Sequence, residues 1–391
     1  MSILNAMRIS RAPLAALTAI GVVWGGVAGF MPDIKAAVGA SDAELGSALV
    51  MSAFGSIVSM YLAPRVGAAL GRIALPLFGA VLCLAFFYPL LASNVASLGL
   101  AMFCIGASVA MLDITANVRI SALENRHGLH LMNVNHAMFS VAFALTALVA
   151  ALARKAGAGL AEVFPLLALI CLGLAAAMWE GRGRLSPPEP DENDTRSRAT
   201  PWRAILLTAL VLFAGFVGEN ATEAWSALHI ERTLGGAAGE GSFGPFMLGL
   251  TMAFGRFSGQ FLADRMGEVR LILWSAALGM VGALVIAAAP TQAIVLIGVA
   301  ILGLGMAAIV PTANSILGKL VREEQRSHAL SRAWMAGMLG FFLGPAMMGG
   351  LAELFGLRIS FAAVALVVAA IIPAVLALGR RGKGEVSRMQ P

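Results

Sequence analysis

Charge is what this chain is shortest of. Asp, Glu, Lys and Arg make up 12% of its 391 residues, against about 25% in a soluble domain. With 59% hydrophobic residues and a mean hydropathy of +0.86, that shortage excludes a water-soluble globular protein and leaves a polytopic membrane protein. Cysteine is scarce too. Cys83, Cys104 and Cys171 fall in apolar segments at no metal-ligand spacing. That argues against a disulfide framework or a thiolate metal site and leaves free core thiols. No phosphate loop or nucleotide-hydrolysis motif appears, so an ATP-driven pump is not expected, and no cofactor is implied. The driving force is then an ion gradient, or the flow is passive. The net charge is +6, but the basic residues lie between apolar segments and in the tails. They form no basic face, which argues against a nucleic-acid partner. Arg8 and Arg11 precede an apolar run like the start of a signal peptide, yet the run continues to Met31 with no cleavage site, so it reads as a first span.

What is present is a series of apolar runs, each long enough to cross a bilayer. Twelve fall near 13–31, 45–63, 73–92, 96–118, 131–152, 162–180, 203–226, 242–262, 270–288, 292–314, 329–351 and 356–378. Five of the 27 basic residues, Lys35, Arg154, Lys155, Arg232 and Arg358, would lie in outer loops if the N-terminus is inside, which leaves 22 on the inner side. By the positive-inside rule both termini are then cytoplasmic. One long polar stretch, 181–202, rich in Pro and charge, reads as a linker between an N-terminal unit, 1–180, and a C-terminal unit, 203–391.

The two units repeat. Ala53-Phe54-Gly55-Ser56 returns as Ala253-Phe254-Gly255-Arg256, and Pro64-Arg65-Val66-Gly67 as Asp264-Arg265-Met266-Gly267, both at an offset of 200. Gly106 and Thr115-Ala116-Asn117 return as Gly303 and Thr312-Ala313-Asn314 at 197. Each unit begins on the same side of the membrane, so the repeat is parallel, the arrangement expected of halves that rock about a central site. The repeat also acts as a control. Where the halves agree, a fold role is indicated; where one half alone has a charge, function is. Asn117 matches Asn314, and each reads as a helix-end contact or a cavity hydrogen-bonder. Asp113 matches Val310, and Arg256 matches Ser56.

Asp113 is the carboxyl around which this reading turns. A charge at membrane depth costs roughly 2.5–3.5 kcal/mol on insertion scales and marks a functional candidate; the alternative is a structural cap or pair. Asn117 follows one turn on. In the seventh run Glu219 and Glu223 share a helix face with Asn220 between them, and Trp225 offers a flat apolar platform. Two carboxylates on one turn repel each other and favour taking up a proton. If the span instead ends near Ala221, both are solvated. The fifth run opens with Asn133, Asn135 and His136. Histidine changes charge near neutrality, and it is also a common neutral bridge between membrane helices. Trp24 and Trp334 are further candidates for a cavity wall, or else packing groups.

Twelve spans, parallel six-helix halves and a long central loop resemble the major facilitator superfamily over the whole chain. The more specific mark is the family's G-x-L-a-D-R-x-G-R loop between the second and third spans of each half. Ala263-Asp264-Arg265-Met266-Gly267 keeps it, whereas Pro64 replaces the Asp in the first half, ahead of Arg65. The fourth span, an acid with Asn one turn on, followed by a fifth with Asn and His, looks most like the fucose-permease and related sugar-permease branch. That branch's acidic proton carrier in the first span has no match in Val22–Gly26.

The resemblance implies an all-α membrane protein with twelve transmembrane helices in two parallel-repeat six-helix bundles, a transporter and not an enzyme. The titratable residues inside the spans themselves point to proton coupling, or sodium coupling, through Asp113, Glu219, Glu223 and His136. A small polar solute would meet Trp24, Asn117, Asn133, Asn135, His136, Asn220, Trp225, Asn314 and Trp334. Arg65, Arg256, Asp264 and Arg265 would serve the gate, with Arg256 facing Asp113 across the halves, or else snorkelling or pairing with Asp264. The expected setting is a monomer in a bacterial inner membrane; the alternative activity is drug or metabolite efflux by antiport.

Overall fold

In hydrocarbon every backbone N–H and C=O must be satisfied within the chain, which leaves helices as the way for these runs to cross. The computed structural model describes residues 3–129, 131–180, 201–321 and 323–386, and the described residues contain helices and no strand. Twelve spanning units result: α1 (Arg11–Gly29), α2 (Asp42–Leu70), α3 (Ala74–Ala85, resumed at Tyr88–Leu91), α4 (Val95–His127), α5 (Met132–Lys155), α6 (Leu160–Ala177), α7 (Trp202–Leu228), α8 (Phe243–Met266), α9 (Glu268–Ala288), α10 (Gln292–Ala307 and Ile309–Leu320), α11 (Glu323–Gly337 and Leu339–Phe355) and α12 (Leu357–Ala369 and Ile371–Val386). Ten stretches among the described residues are long and apolar enough to cross a membrane; the stretch 42–91 contains both α2 and α3, and α8, with its Arg256, Asp264 and Arg265, is not among them. Most of the linker lies outside the described residues, and Trp202 already opens α7.

Lipid tails are as apolar as Leu, so these helices associate by close packing, and small residues set where. A Cβ on Gly106 of α4 would sit 2.0 Å from the Ser52 carbonyl oxygen of α2, and one on Gly55 would sit 2.1 Å from the Phe103 carbonyl oxygen. Their repeat mates do the same: a Cβ on Gly303 would lie 2.2 Å from Thr251 Oγ1, and one on Gly255 2.6 Å from Ala307 Cβ. The repeat read from sequence is therefore a repeat of helix contacts, α2 on α4 and α8 on α10.

The halves meet through two further pairs. Gly46 of α2 and Gly349 of α11 lie against each other's backbones, and Gly249 of α8 lies against Phe143 and Ala144 of α5. By contrast, the pieces Ile309–Leu320 and Glu323–Gly337, which lie toward the termini, make their extensive contacts within their own half. The halves are thus joined at the end away from the termini.

One part of the repeat is not kept in the backbone. Gly267 takes φ +81° and turns the chain from α8 into α9. Its sequence mate Gly67 is inside α2, which runs on to Leu70; the turn is made four residues later by Gly71 at φ +57°. Arg65 is therefore a helix residue, exposed, donating to the Tyr61 carbonyl at 3.3 Å rather than standing in a loop.

Gly106→Val should lower the thermal unfolding midpoint in detergent by the equivalent of about 1–3 kcal/mol, the usual penalty of overpacking. Gly173→Ala, where a Cβ meets nothing within 4 Å, should leave it unchanged. Equal midpoints for both variants would contradict the packing assigned to Gly106.

Candidate functional site

α7 does not stop at Ala221. It continues through Leu228 into a π-helical turn, His229–Thr233, so Glu219, Asn220 and Glu223 are helical, half-buried, and face the centre between the halves. Opposite them α8 brings Arg256. Its guanidinium donates to Glu219 Oε1 at 3.1 Å and to Ser140 Oγ of α5, and stands 5.8 Å from the Phe139 ring centroid. A buried cation needs a counter-charge, and here it is Glu219. Arg256 makes no direct contact with Asp113 among the described residues; the two stand at the ends of a line of polar groups.

That line can be followed residue by residue. Asp113 stands one turn before Asn117 on the same face of α4. Asn117 Oδ1 faces His136 Nε2 of α5 at 3.2 Å. With Oδ1 accepting from the imidazole N–H, the Asn117 amide N–H is left for Asp113. One turn further along α5, Ser140 Oγ donates to the His136 carbonyl at 3.4 Å and receives Arg256. Asp113, Asn117, His136, Ser140, Arg256 and Glu219 so connect α4 of the first half to α7 of the second.

The other half repeats one link of this line without its titratable group. Trp334 Nε1 donates to Asn314 Oδ1 at 3.1 Å. Trp334 follows His136 by 198 residues, as Asn314 follows Asn117 by 197. The α4–α5 and α10–α11 bridges are thus one fold feature. Histidine at that place belongs to one half alone.

Two small spaces adjoin the line. One lies between Phe139, Ser140, Phe143, Glu219, Glu223 and Arg256. The other has Trp24, Met31, Ser52, Asn220, Glu223 and Pro345 in its wall. Glu223 borders both. Among the described residues it has no ion pair or hydrogen bond.

Several expected residues lie elsewhere. Trp225 is fully buried in the core, because two residues beyond Glu223 is about 200° round the helix; it is not a platform in the cavity. Asn135 is also fully buried, donating to Ser10 Oγ at 3.0 Å and to the Leu131 carbonyl at 2.8 Å, and so ties α5 to the start of α1 instead of meeting a solute. Asn133 is exposed on the first turn of α5. Arg265 is exposed at the end of α8, and the side chain of Asp264 lies outside the described residues. In the first half, where Pro64 replaces the family's Asp, a different brace holds the same end: Arg119 of α4 donates to the Gly71 carbonyl at 2.9 Å and pairs with Glu180 at 3.3 Å.

Sequence reasoning missed the ionic cluster at the end away from the termini. Arg154 of α5, its side chain 2% exposed, takes both oxygens of Asp33 at 2.7 Å in its own half, and Glu231 at 2.5 Å in the other. Arg232 pairs with Asp42 across the halves. Glu353 of α11 accepts from the backbone N–H groups of Asp42 and Ala43 at 2.9 and 3.3 Å, capping α2 of the opposite half. A partial signal was present: Asp33 stands two residues before Lys35 and Glu231 next to Arg232, among the few basic residues expected in the outer loops.

A parallel pair of six-helix halves, latched at one end around a charged central line, defines a membrane transporter. The sequence model of the Major Facilitator Superfamily matches residues 14–299 and 224–389, and the chain belongs to that superfamily. It is 24% identical over 352 residues to an uncharacterized MFS-type transporter of Yersinia pestis, 90% of each chain being covered. It is 28% identical over 342 residues to membrane protein MosC of Rhizobium meliloti, covering 86% of this chain and 82% of that one. A mutant of the nucleoside transporter NupG shares the fold with a TM-score of 0.75 at 12% identity, over 94% of this chain and 99% of that chain. A bacterial homolog of the human lysosomal transporter Spinster, inward-facing and unoccupied, gives 0.74 at 15% identity, over 97% and 98%.

Two measurements check this geometry. Glu219→Arg and Arg256→Glu should each lower the unfolding midpoint, and the double exchange should recover part of the loss, with a coupling of about 1–3 kcal/mol; strictly additive losses would mean that the pair contributes nothing. Arg154→Gln strands two carboxylates and should weaken the latch by about 3 kcal/mol. A cysteine introduced by Ala224→Cys, at a position 6% exposed, should then react faster with an impermeant thiol reagent added from the latched side. An unchanged rate would show that Arg154 does not hold that end closed.

Proposed function

We propose that this protein is a proton-coupled secondary transporter that moves a small polar organic solute across a bacterial inner membrane by alternating access. The observation that carries the proposal is the line from Asp113 to Glu219, because it joins two titratable carboxyls, one in each half, through side chains that must part when the halves rock. Both termini are on the cytoplasmic side in this reading, so the latch of Arg154, Arg232 and Glu353 closes the outer end and the site opens inward.

In such a cycle Glu219 holds Arg256 by charge. A proton on Glu219 removes that attraction and leaves Arg256 on Ser140 and beside Glu223. Asp113 receives its proton at the other end of the line, with His136 and Asn117 as neighbours able to exchange hydrogen bonds. Solute contacts are assigned to Trp24, Asn117, His136, Asn220, Asn314 and Trp334. Asp264 and Arg265, with the brace of Arg119, steady the inward end. The apolar wall of Phe139, Phe143, Leu248 and Met252 beside Arg256 favours a second reading, export of a more apolar drug or metabolite against protons.

The test uses purified protein in vesicles with a trapped pH dye and a panel of sugars, cyclitols, amino acids and drugs. One class of solute should move protons in wild type, inward with the solute for symport and opposite to it for antiport. Asp113→Asn and Glu219→Gln should lose at least about tenfold of that signal, ~1.4 kcal/mol, while Asp113→Asn keeps solute exchange at equal concentrations. Proton movement undiminished in all acid-to-amide variants would overturn the coupling.

A further inference from the structure

The second of the two central spaces carries a chemical signature that the polar line does not use. Asn220 Oδ1 is buried there without a hydrogen-bond partner. An orphaned buried acceptor costs about 1–3 kcal/mol, so a protein that keeps one in the wall of a space has an unmet need for a donor. The second polar group in that wall is Glu223, whose carboxylate also lacks a partner among the described residues. The nearest cation, Arg256, is already held by Glu219, so the Glu223 carboxyl has no cation of its own among the described residues. Ser52 has its hydroxyl committed to the Leu49 carbonyl at 2.8 Å. The remaining wall is apolar, with the indole of Trp24 and the methylene surface of Met31 and Pro345. An acceptor without a donor, a carboxyl without a cation and an aromatic side chain are three elements that recognise an ammonium group.

We propose that the space between Trp24, Asn220 and Glu223 binds the protonated amino group of the solute, and that the transported class is therefore organic amines bearing N–H donors. The ammonium pairs with Glu223, donates one N–H to Asn220 Oδ1 and lies against Trp24; the rest of the solute extends toward Ser52 and Pro345. A carboxylate solute is rejected by Glu223. A neutral alcohol satisfies Asn220 but leaves the charge uncompensated.

This assignment deepens the transport reading and rests on it for the word solute, but its test is binding, which needs no transport. The probes are matched in carbon chain: butylammonium, butyltrimethylammonium, butan-1-ol and butyrate, titrated calorimetrically into the detergent-purified full chain at neutral pH. Butylammonium should bind at least about tenfold tighter than butan-1-ol, with butyrate weakest. Glu223→Gln should remove the preference for both cations. Asn220→Leu should weaken butylammonium several-fold and leave butyltrimethylammonium, which has no N–H, unchanged. That split distinguishes the acceptor from a general loss of folding, which would reduce both, and unfolding midpoints recorded for each variant check the same point. Equal affinity for amine and alcohol, tighter butyrate, absence of saturable amine binding, or wild-type amine binding in folded Glu223→Gln would each overturn the proposal. Amine binding without amine-driven proton movement in vesicles would leave the site standing and remove the coupling reading instead.

Discussion

A charge carried into the membrane has to meet its opposite, and much of this molecule's centre follows from how Arg256 meets that demand. It sits on α8, reaches Glu219 on α7 of its own half and Ser140 on α5 of the other. One guanidinium thereby crosses the boundary between the halves at the level of the cavity. Its planar fork makes this possible, since it can serve two acceptors in different directions while a lysine offers a single point charge. The partner choice has a consequence next door. With Glu219 engaged, Glu223 one turn on has no ion pair or hydrogen bond among the described residues, in a space whose other walls are mostly apolar.

The latched end follows the same electrostatic logic with a second arginine. Arg154 holds Asp33 in its own half through two nitrogens and Glu231 in the other half. The bidentate pair lies within one half. The contact to Glu231, together with Arg232–Asp42 and the carboxylate of Glu353 on the first turn of α2, is what separation must break. These bonds act in concert with the glycine contacts of Gly46 with Gly349 and of Gly249 with α5. Small residues let backbones approach, and the approach brings the charges within reach. Neither would hold the end closed as well without the other.

The internal repeat separates scaffold from chemistry. Gly55 and Gly255, Gly106 and Gly303, Asn117 and Asn314 do matching work in the two halves. The tryptophan at 334 occupies the place of the histidine at 136, and both bond the Asn of the preceding helix. What remains after this subtraction is a short set of side chains without mates: Asp113, His136, Glu219, Glu223 and Arg256. All five lie on or beside one connected polar line. The loop motif is the counter-example. Gly67 and Gly267 match in sequence but not in backbone, since α2 continues past Gly67 and turns at Gly71. Arg119 and Glu180 brace the end where the motif's Asp is absent.

Fold class, the number and approximate extent of the spans, and the parallel repeat are legible along the chain. The spans are local properties, because hydropathy over some twenty residues decides whether a segment crosses a bilayer, and the repeat is a comparison of one such stretch with another. The sequence by itself also singled out Asp113, Glu219, Glu223, His136 and Arg256, since a titratable group in an apolar run is conspicuous wherever it points. Only the tertiary structure decided who meets whom. Arg256 pairs with Glu219 and not Asp113, Trp225 and Asn135 turn into the core, Trp24 joins Asn220 and Glu223 from a helix about two hundred residues away, and Arg154 becomes the hub of the latched end. Each of these depends on the rotation of one helix against another. That rotation is fixed by close contacts between distant glycines, and no single stretch of sequence contains both sides of such a contact.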